Sequence, residues 1–300
     1  MKILALGPAG TNGHEAAHQI LRRINEKSLV LPGETTISNI SIDLCDSHAT
    51  VFKRAVDERC YCVVPIENSI KGLVDDTIRG FWLRYPLDRT VLSVIGEVNM
   101  PIEHVLVMRQ GEVLMPTTPV LSHPQALAQC SESLKSLGLI RSVPTNSTAG
   151  AGEMVAREDR HGLSAAIVSP FASTVYRLQV IKNHMEDIRG NVTRFHLLGH
   201  RPCPVMDGGK TALIFWTKDQ PGALWSALGA IATNGVNMTS VHSLPLGTPG
   251  EYAFYIEFDE HSRTRKGFDI MEKLTNSADR ILWLGSFPQE SAILERKVQA

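Results

Sequence analysis

Apolar positions along this chain recur with two periods, and the switch between them marks the predicted elements. Residues 2–6, Lys2-Ile3-Leu4-Ala5-Leu6, form a short apolar run that predicts a buried strand. After the turn Gly7-Pro8-Ala9-Gly10-Thr11-Asn12-Gly13, residues Ala17, Ile20, Leu21 and Ile24 repeat at helical spacing. Residues 39–44 predict a second strand, with Asp46 as N-cap of a helix through Val56. A third strand, Cys60 to Val64, ends at a turn, Pro65-Ile66-Glu67-Asn68-Ser69. Further strands are predicted at 90–98 and 104–108. The helix after Ser122-His123-Pro124-Gln125 has Leu127, Cys130, Leu134 and Leu137 on one face. Ser122 suits its cap, Pro124 its first turn and Gly138 its end. Short strands at 139–143, 165–168 and 179–181 alternate with helices starting near Ser147-Thr148 and at Pro170. This alternation predicts an α/β unit of about two hundred residues.

A second unit follows the linker-like Arg201-Pro202-Cys203-Pro204 and Asp207-Gly208-Gly209. Residues 211–216 read as a strand, and the turn Asp219-Gln220-Pro221-Gly222 leads into a helix bearing Leu224, Ala227, Leu228 and Ile231. Strands at 236–241 and along the alternating Tyr252, Phe254, Ile256 and Phe258 come next, then a helix over 263–274 and a strand over 280–284. The order βαββαβ predicts a ferredoxin-like sandwich. It carries no obvious catalytic group, and its Pro221-Gly222 turn suits close backbone approach to a small ligand.

Composition narrows the function class. The formal net charge of −1, from 30 basic and 31 acidic residues, argues against duplex DNA and anionic membrane surfaces as partners. No apolar stretch is long enough to span a membrane, and the first residues are too short a run for a signal peptide. The five scattered cysteines lack zinc-finger spacing and predict reduced thiols in a cytoplasmic protein.

The candidate chemistry centres on Gly190-Asn191-Val192-Thr193-Arg194-Phe195. In an extended segment Asn191, Thr193 and Phe195 share one face and Arg194 takes the other. An ordinary edge strand would carry the same pattern. The glycine-rich turn before Ala17 exposes backbone N–H groups at a helix start, which favours a carboxylate or phosphate, although its glycine spacing fits neither a dinucleotide nor a Walker loop. Gln125 lies at a second such helix start and Ser147 and Thr148 at a third. Three of them suit a substrate with more than one carboxylate. Asn68 and Ser69 can hydrogen-bond a carboxylate or hydroxyl, and Glu67 can act as a base or ion-pair partner.

Together Gly7-Pro8-Ala9-Gly10-Thr11, Val64-Pro65-Ile66-Glu67-Asn68-Ser69, Ser122-His123-Pro124-Gln125 with the following Ala126-Leu127-Ala128-Gln129-Cys130, Asn146-Ser147-Thr148-Ala149 and Asn191-Val192-Thr193-Arg194-Phe195 resemble the prephenate dehydratase family, in that family's order. Residues from Lys210 to about Phe287 resemble the ACT regulatory domain that follows it. The resemblance implies a catalytic domain over 1–204, with two lobes like a periplasmic binding protein and the site between them, and an ACT domain over 209–290. No helical segment of the kind fused in the bifunctional chorismate mutase forms is seen, so the monofunctional type is expected. The implied reaction turns prephenate into phenylpyruvate, carbon dioxide and water, with no metal or organic cofactor.

By the same resemblance Thr193, Asn68 and Gln125 are catalytic, with Thr193 as proton donor to the departing hydroxyl. Thr11, Glu67, Ser69, Ser122, Ser147, Thr148, Asn191 and Phe195 are expected to bind substrate. Gly222, Ala223, Leu224, Asn237, His242 and Ser243 are expected to form a phenylalanine site in a homodimer or homotetramer joined through the ACT domain. Two departures matter. Asn12-Gly13 replaces the family's Phe-Ser, and His242-Ser243-Leu244-Pro245 replaces Glu-Ser-Arg-Pro, which predicts weak or absent inhibition by phenylalanine. Arogenate dehydratase is the alternative within enzymes, and a non-catalytic amino-acid sensor the alternative outside them.

Overall fold

The computed structural model describes residues 1–33, 39–82, 92–157, 164–217, 220–247 and 251–290. Strand residues Thr90 and Val91 and turn residue Asp219 lie outside these. The first lobe is built on β1 (Lys2–Leu6), β2 (Ser41–Cys45), β3 (Tyr61–Asn68), the two-residue β4 (Gly72–Leu73), β5 (Ser93–Pro101) and β11 (Val192–Gly199). They pair in the order β2-β1-β3-β11-β5, with β4 on β3. The helices α1 (Asn12–Asn25), α2 (His48–Asp57) and α3 (Asp75–Trp82) belong to this lobe. α1 buries Ala16, Ala17, Ile20 and Ile24 against Ile3, Ala5 and Val63 of the sheet. Each such aliphatic chain contributes about 1.5–3 kcal/mol by leaving water.

The second lobe holds β6 (Val105–Met108), β7 (Val120–Ser122), β8 (Ser142–Pro144), β9 (Ala165–Val168) and β10 (Gln179–Lys182), in the order β10-β6-β9-β7-β8. Its helices are α4 (Pro124–Gln129), α5 (Ser131–Ser136), α6 (Thr148–Ala156) and α7 (Pro170–Val175). The chain crosses between lobes twice, from β5 to β6 and from β10 back to β11. β11 is therefore not an edge strand. It lies antiparallel between β3 and β5.

Three expectations change locally. Ser47, not Asp46, caps α2, by accepting from the Thr50 N–H. The helix predicted after Ser122 breaks at Cys130 into α4 and α5, and His123 caps it while the Ser122 hydroxyl donates to the Ile167 carbonyl. β3 continues through Pro65 to Asn68, where a turn was expected. Between the Arg194–Glu67 and Phe195–Pro65 pairs the register slips by one residue at Ile66, beside Pro65, which has no N–H to offer the ladder.

The remaining sheet is β12 (Gly209–Thr217), β13 (Met238–Pro245), β14 (Tyr252–Phe258) and β15 (Ala278–Pro288), ordered β13-β14-β12-β15 and antiparallel throughout. With α8 (Ala223–Ala232) and α9 (Arg265–Ser277) it makes the expected ferredoxin-like unit. Leu213, Phe215, Ile256 and Phe258 pack on the helices. Ile214, Tyr255, Leu244 and Leu284 instead share a core with Phe52, Ile78 and Val94 of the first lobe. The sheet is thus covered on both faces. All five cysteines are free and buried. No helix among the described residues is long and apolar enough to cross a membrane.

Candidate active site

Strand register assembles the central group. Thr193 of β11 pairs directly with Asn68 of β3, and Arg194 pairs with Glu67. Because side chains alternate, the first pair faces the space between the lobes and the second faces the ferredoxin-like unit. Asn68 Nδ2 donates to Thr193 Oγ1 at 2.9 Å and to Asn191 Oδ1 at 2.7 Å. Asn68 Oδ1 accepts the N–H groups of Ile70 and Lys71, both at 3.1 Å. Every polar atom of the Asn68 side chain is therefore committed within the protein. It positions Thr193, where sequence reasoning had it orient the substrate.

Two adjoining hollows separate the lobes. One, of about 290 Å³, is lined by Thr11, Asn12, Gly13, Gln125, Asn146, Ser147, Thr148, Thr193 and Phe195 among others. The other, of about 690 Å³, is lined by Lys71, Asn191, Pro124, Glu186 and Asp187, and shares Ile102, His104, His123, Gln125 and Gln129 with the first. The N-termini of α1 and α6 open on the smaller hollow from opposite lobes, capped by Thr11 and Ser147. Their free N–H groups and dipoles favour anions. The Thr11 hydroxyl is committed, since Oγ1 donates to the Leu6 carbonyl at 2.6 Å and accepts from His14 N, whereas Ser147 Oγ accepts from Gly150 N at 2.9 Å and keeps its own proton to donate. These positions offer a ligand backbone N–H groups and, at Ser147, a hydroxyl proton.

Three expected binding residues stand elsewhere. Ser122 is fully buried beneath the site. Ser69 Oγ bridges the Val192 N–H and Asn191 Oδ1, closing the turn after Asn68. Glu67 points to the opposite face of the sheet, where its carboxylate takes Arg194 Nη2 at 2.8 Å and lies 3.6 Å from His242 Nε2 of β13. That face holds a buried charge cluster. Arg194 Nη1 reaches both Glu257 oxygens at 2.8 and 2.7 Å and Glu97 at 3.2 Å, and Lys210 lies 3.4 Å from Glu97 and 3.5 Å from Glu257. Burial alone would push the Glu257 carboxyl up, but a hydrogen bond with His196 and the Arg194 and Lys210 charges hold it well below the carboxylate range. Glu97, His196 and Glu257 have ligand atoms within 4.8 Å of one another. Arg194 and Lys210 already neutralise that group, so a metal ion would face two resident cations.

Sequence reasoning missed Lys71, His104, Asn146 and Gln129 as lining residues. Gln129 carried a signal, because it stands one helical turn beyond Gln125. His104 Nε2 lies 3.2 Å from Gln129 Oε1, and burial pushes the His104 imidazolium pKa down, so the ring is neutral. In the second unit Gly222 caps α8 at φ +81°, Ala223 is buried and Leu224 half-buried beside it, and Asn237 Nδ2 donates to Asp259 Oδ2 at 3.3 Å. His242 faces the first lobe and Ser243 is exposed.

Known proteins resemble this chain in sequence and fold. The model of the family described as prephenate dehydratase matches residues 3–203. A curated relative from Arabidopsis thaliana, arogenate dehydratase/prephenate dehydratase 2, is 33% identical over 267 residues, 83% of this chain and 67% of its own length. This chain thus spans about two thirds of that plant protein. Among solved structures, prephenate dehydratase from Arthrobacter aurescens in complex with L-Phe superposes with a TM-score of 0.81 at 28% identity, covering 97% of this chain and 91% of that one. A quorum-quenching acylase, GqqA, superposes with a TM-score of 0.80 at 28% identity, covering 97% and 98%. The family match over both lobes, on a fold whose cleft brings Thr193, Gln125 and two helix N-termini together, makes this chain a member of the prephenate dehydratase family.

Proposed function

We propose that the cleft converts prephenate to phenylpyruvate with loss of carbon dioxide and water. The observation that carries this reading is the Asn68 Nδ2 to Thr193 Oγ1 hydrogen bond of 2.9 Å. Because Asn68 donates, Thr193 must use its oxygen to accept, and its own proton is left for a partner in the cleft. Prephenate supplies that partner in its ring hydroxyl. When the ring carboxylate leaves as carbon dioxide, the electrons of its C–C bond enter the ring, aromatise it and expel hydroxide from the opposite carbon. Overall one proton is taken up, and a donor sharing it with the departing oxygen lowers the barrier. A threonine hydroxyl is a weak acid, so it shares its proton in the transition state and recovers it from water. The α1 and α6 N-termini and the Gln125 amide supply donors for the two carboxylates, which fixes the ring relative to Thr193. No step calls for a cofactor or metal.

The same geometry speaks against acyl transfer through Thr193, despite the likeness to an acylase. A hydroxyl nucleophile needs a base to take its proton, and the partner of Thr193 is an amide N–H. Arogenate, the amino counterpart of prephenate, is the second reading, suggested by the Arabidopsis relative; a non-catalytic amino-acid sensor is the third. Residues 1–204 form the catalytic unit and 209–290 an ACT unit that joins a cytoplasmic homodimer or homotetramer. The L-Phe held by the Arthrobacter relative makes phenylalanine the natural effector. His242 and Leu244, turned towards the first lobe, weaken its effect. Following phenylpyruvate from prephenate, with arogenate in parallel, tests the assignment. Preferred turnover of prephenate is expected; preference for arogenate moves the chain to the sister activity, and turnover of neither by folded protein favours the sensor.

A further inference from the structure

Lys71 stands in the tight turn between β3 and β4, held there by the two backbone bonds to Asn68 Oδ1 and by Gly72 at φ +79°. Its Nζ crosses from the first lobe to Gln125 Oε1 of the second at 2.6 Å. A lysine ammonium only donates, so the Gln125 atom facing it must be the oxygen. The Gln125 amide hydrogens are then turned elsewhere, and they have no protein acceptor among the described residues. Gln125 lines both hollows, so those hydrogens are available to a ligand.

Charge is the second observation. The larger hollow has two acidic residues besides Lys71, and both are engaged. Glu186 Oε2 accepts from His104 N at 2.9 Å, and Asp187 accepts from Glu132 N and Ser133 N at 3.0 Å each. Among the described residues no carboxylate lies within ion-pair distance of Lys71, whose only partner is a neutral amide. A lysine matched to no acid, at the exposed rim of a cleft with two anion-favouring helix starts, adds a positive field where a dianion must enter.

We propose that Lys71 is a positioning and specificity residue of the dehydratase site: it clasps the two lobes, sets the Gln125 amide so that its hydrogens meet a substrate carboxylate, and favours the doubly anionic keto acid prephenate over arogenate, whose ammonium group lowers the net negative charge. The proposal rests on the dehydratase reading. It assigns Lys71 to binding and discrimination, and leaves bond cleavage to Thr193.

Wild-type turnover of prephenate is measured first, since its absence removes the dehydratase reading and this proposal together. With turnover established, Lys71→Met and Lys71→Arg are compared with wild type on prephenate, with arogenate as second substrate or competitive inhibitor. Loss of the charge-assisted bond in Lys71→Met is expected to raise KM for prephenate about tenfold, with kcat within about twofold of wild type. The preference for prephenate over arogenate falls, KM becomes less sensitive to salt, and Lys71→Arg recovers most of the loss. Unchanged prephenate kinetics in Lys71→Met, or an equal loss on both substrates as a purely structural role would give, overturns the proposal.

Discussion

The proposed donor role of Thr193 rests on what surrounds its oxygen. A free threonine hydroxyl can rotate and donate in any direction, but Asn68 Nδ2 fixes one lone pair at 2.9 Å. Asn68 is in turn held by Asn191, Ile70 and Lys71, so the hydroxyl is set by a network and not by one contact. Asn68→Asp keeps shape and volume but replaces the N–H donor with an acceptor facing Thr193. The Thr193 proton then turns to the new carboxylate and away from the substrate. The expected outcome is a fall in kcat of about 10²-fold or more in a folded protein, with the unfolding midpoint lowered because Asn191 Oδ1 then faces an acceptor. Steady-state kinetics beside a urea titration check both halves, and near wild-type kcat would show that the bond is incidental.

At the scale of elements, the period-2 pattern of β11 was legible: Thr193 and Phe195 line the cleft while Arg194 faces away. The helix starts at Thr11 and Ser147 were legible, the first from its glycine-rich turn and the second from Ser147-Thr148. What was not legible followed from partners far along the chain. Asn68 and Thr193 are 125 residues apart, and only the β3–β11 register brings them together. Reading residues 65–69 as a turn merged Glu67 with Asn68; in the strand that exists, alternation sends them to opposite faces. Lys71 carried no pattern, because a single charge in a turn looks like any solvated residue. The turn before α1 also joins the lobes, as the Tyr176 hydroxyl donates to the Ala9 carbonyl at 2.7 Å and Gly10 packs on α7. Gly10 has φ +84°, and an added Cβ would lie 3.1 Å from Ala172 Cβ. Gly10→Ala should cost about 1–3 kcal/mol of stability, measured by urea unfolding, and lower activity by displacing the α1 N-terminus. Wild-type stability in this variant would contradict the packing described.

For the whole molecule, the ferredoxin-like sheet is packed into the first lobe and braces the strand that carries Thr193. Its Tyr255 and Leu284 share an apolar cluster with the first lobe, and Glu257 binds the residue next to Thr193. Buried imidazoles make this assembly sensitive to acid. Burial lowers the pKa values of His14, His48, His104, His196 and His261, so the fold holds them neutral. A group whose folded pKa is depressed contributes stability above its unfolded value, near 6.5 for histidine, and loses it as pH falls. Glu257 acts in the same sense at lower pH, whereas Glu15 and Glu290, raised by burial, act in the opposite sense. Urea midpoints should therefore fall from pH 7 to pH 5.5, because the five imidazoles outnumber the two carboxyls that act in the opposite sense. A midpoint that is flat or rising over that interval would mean that these imidazoles are not held neutral.

The donor role of Thr193 is tested most directly by Thr193→Val, which removes the hydroxyl and keeps the branched shape. Phenylpyruvate formation from saturating prephenate is compared with wild type, with circular dichroism as the control for folding. The account predicts that kcat falls by about 10²–10⁴-fold while KM for prephenate stays within a few fold, because the carboxylate donors remain in place. A well-folded Thr193→Val protein that turns prephenate over at close to the wild-type rate would contradict it, and the proton would have to come from another group in the cleft.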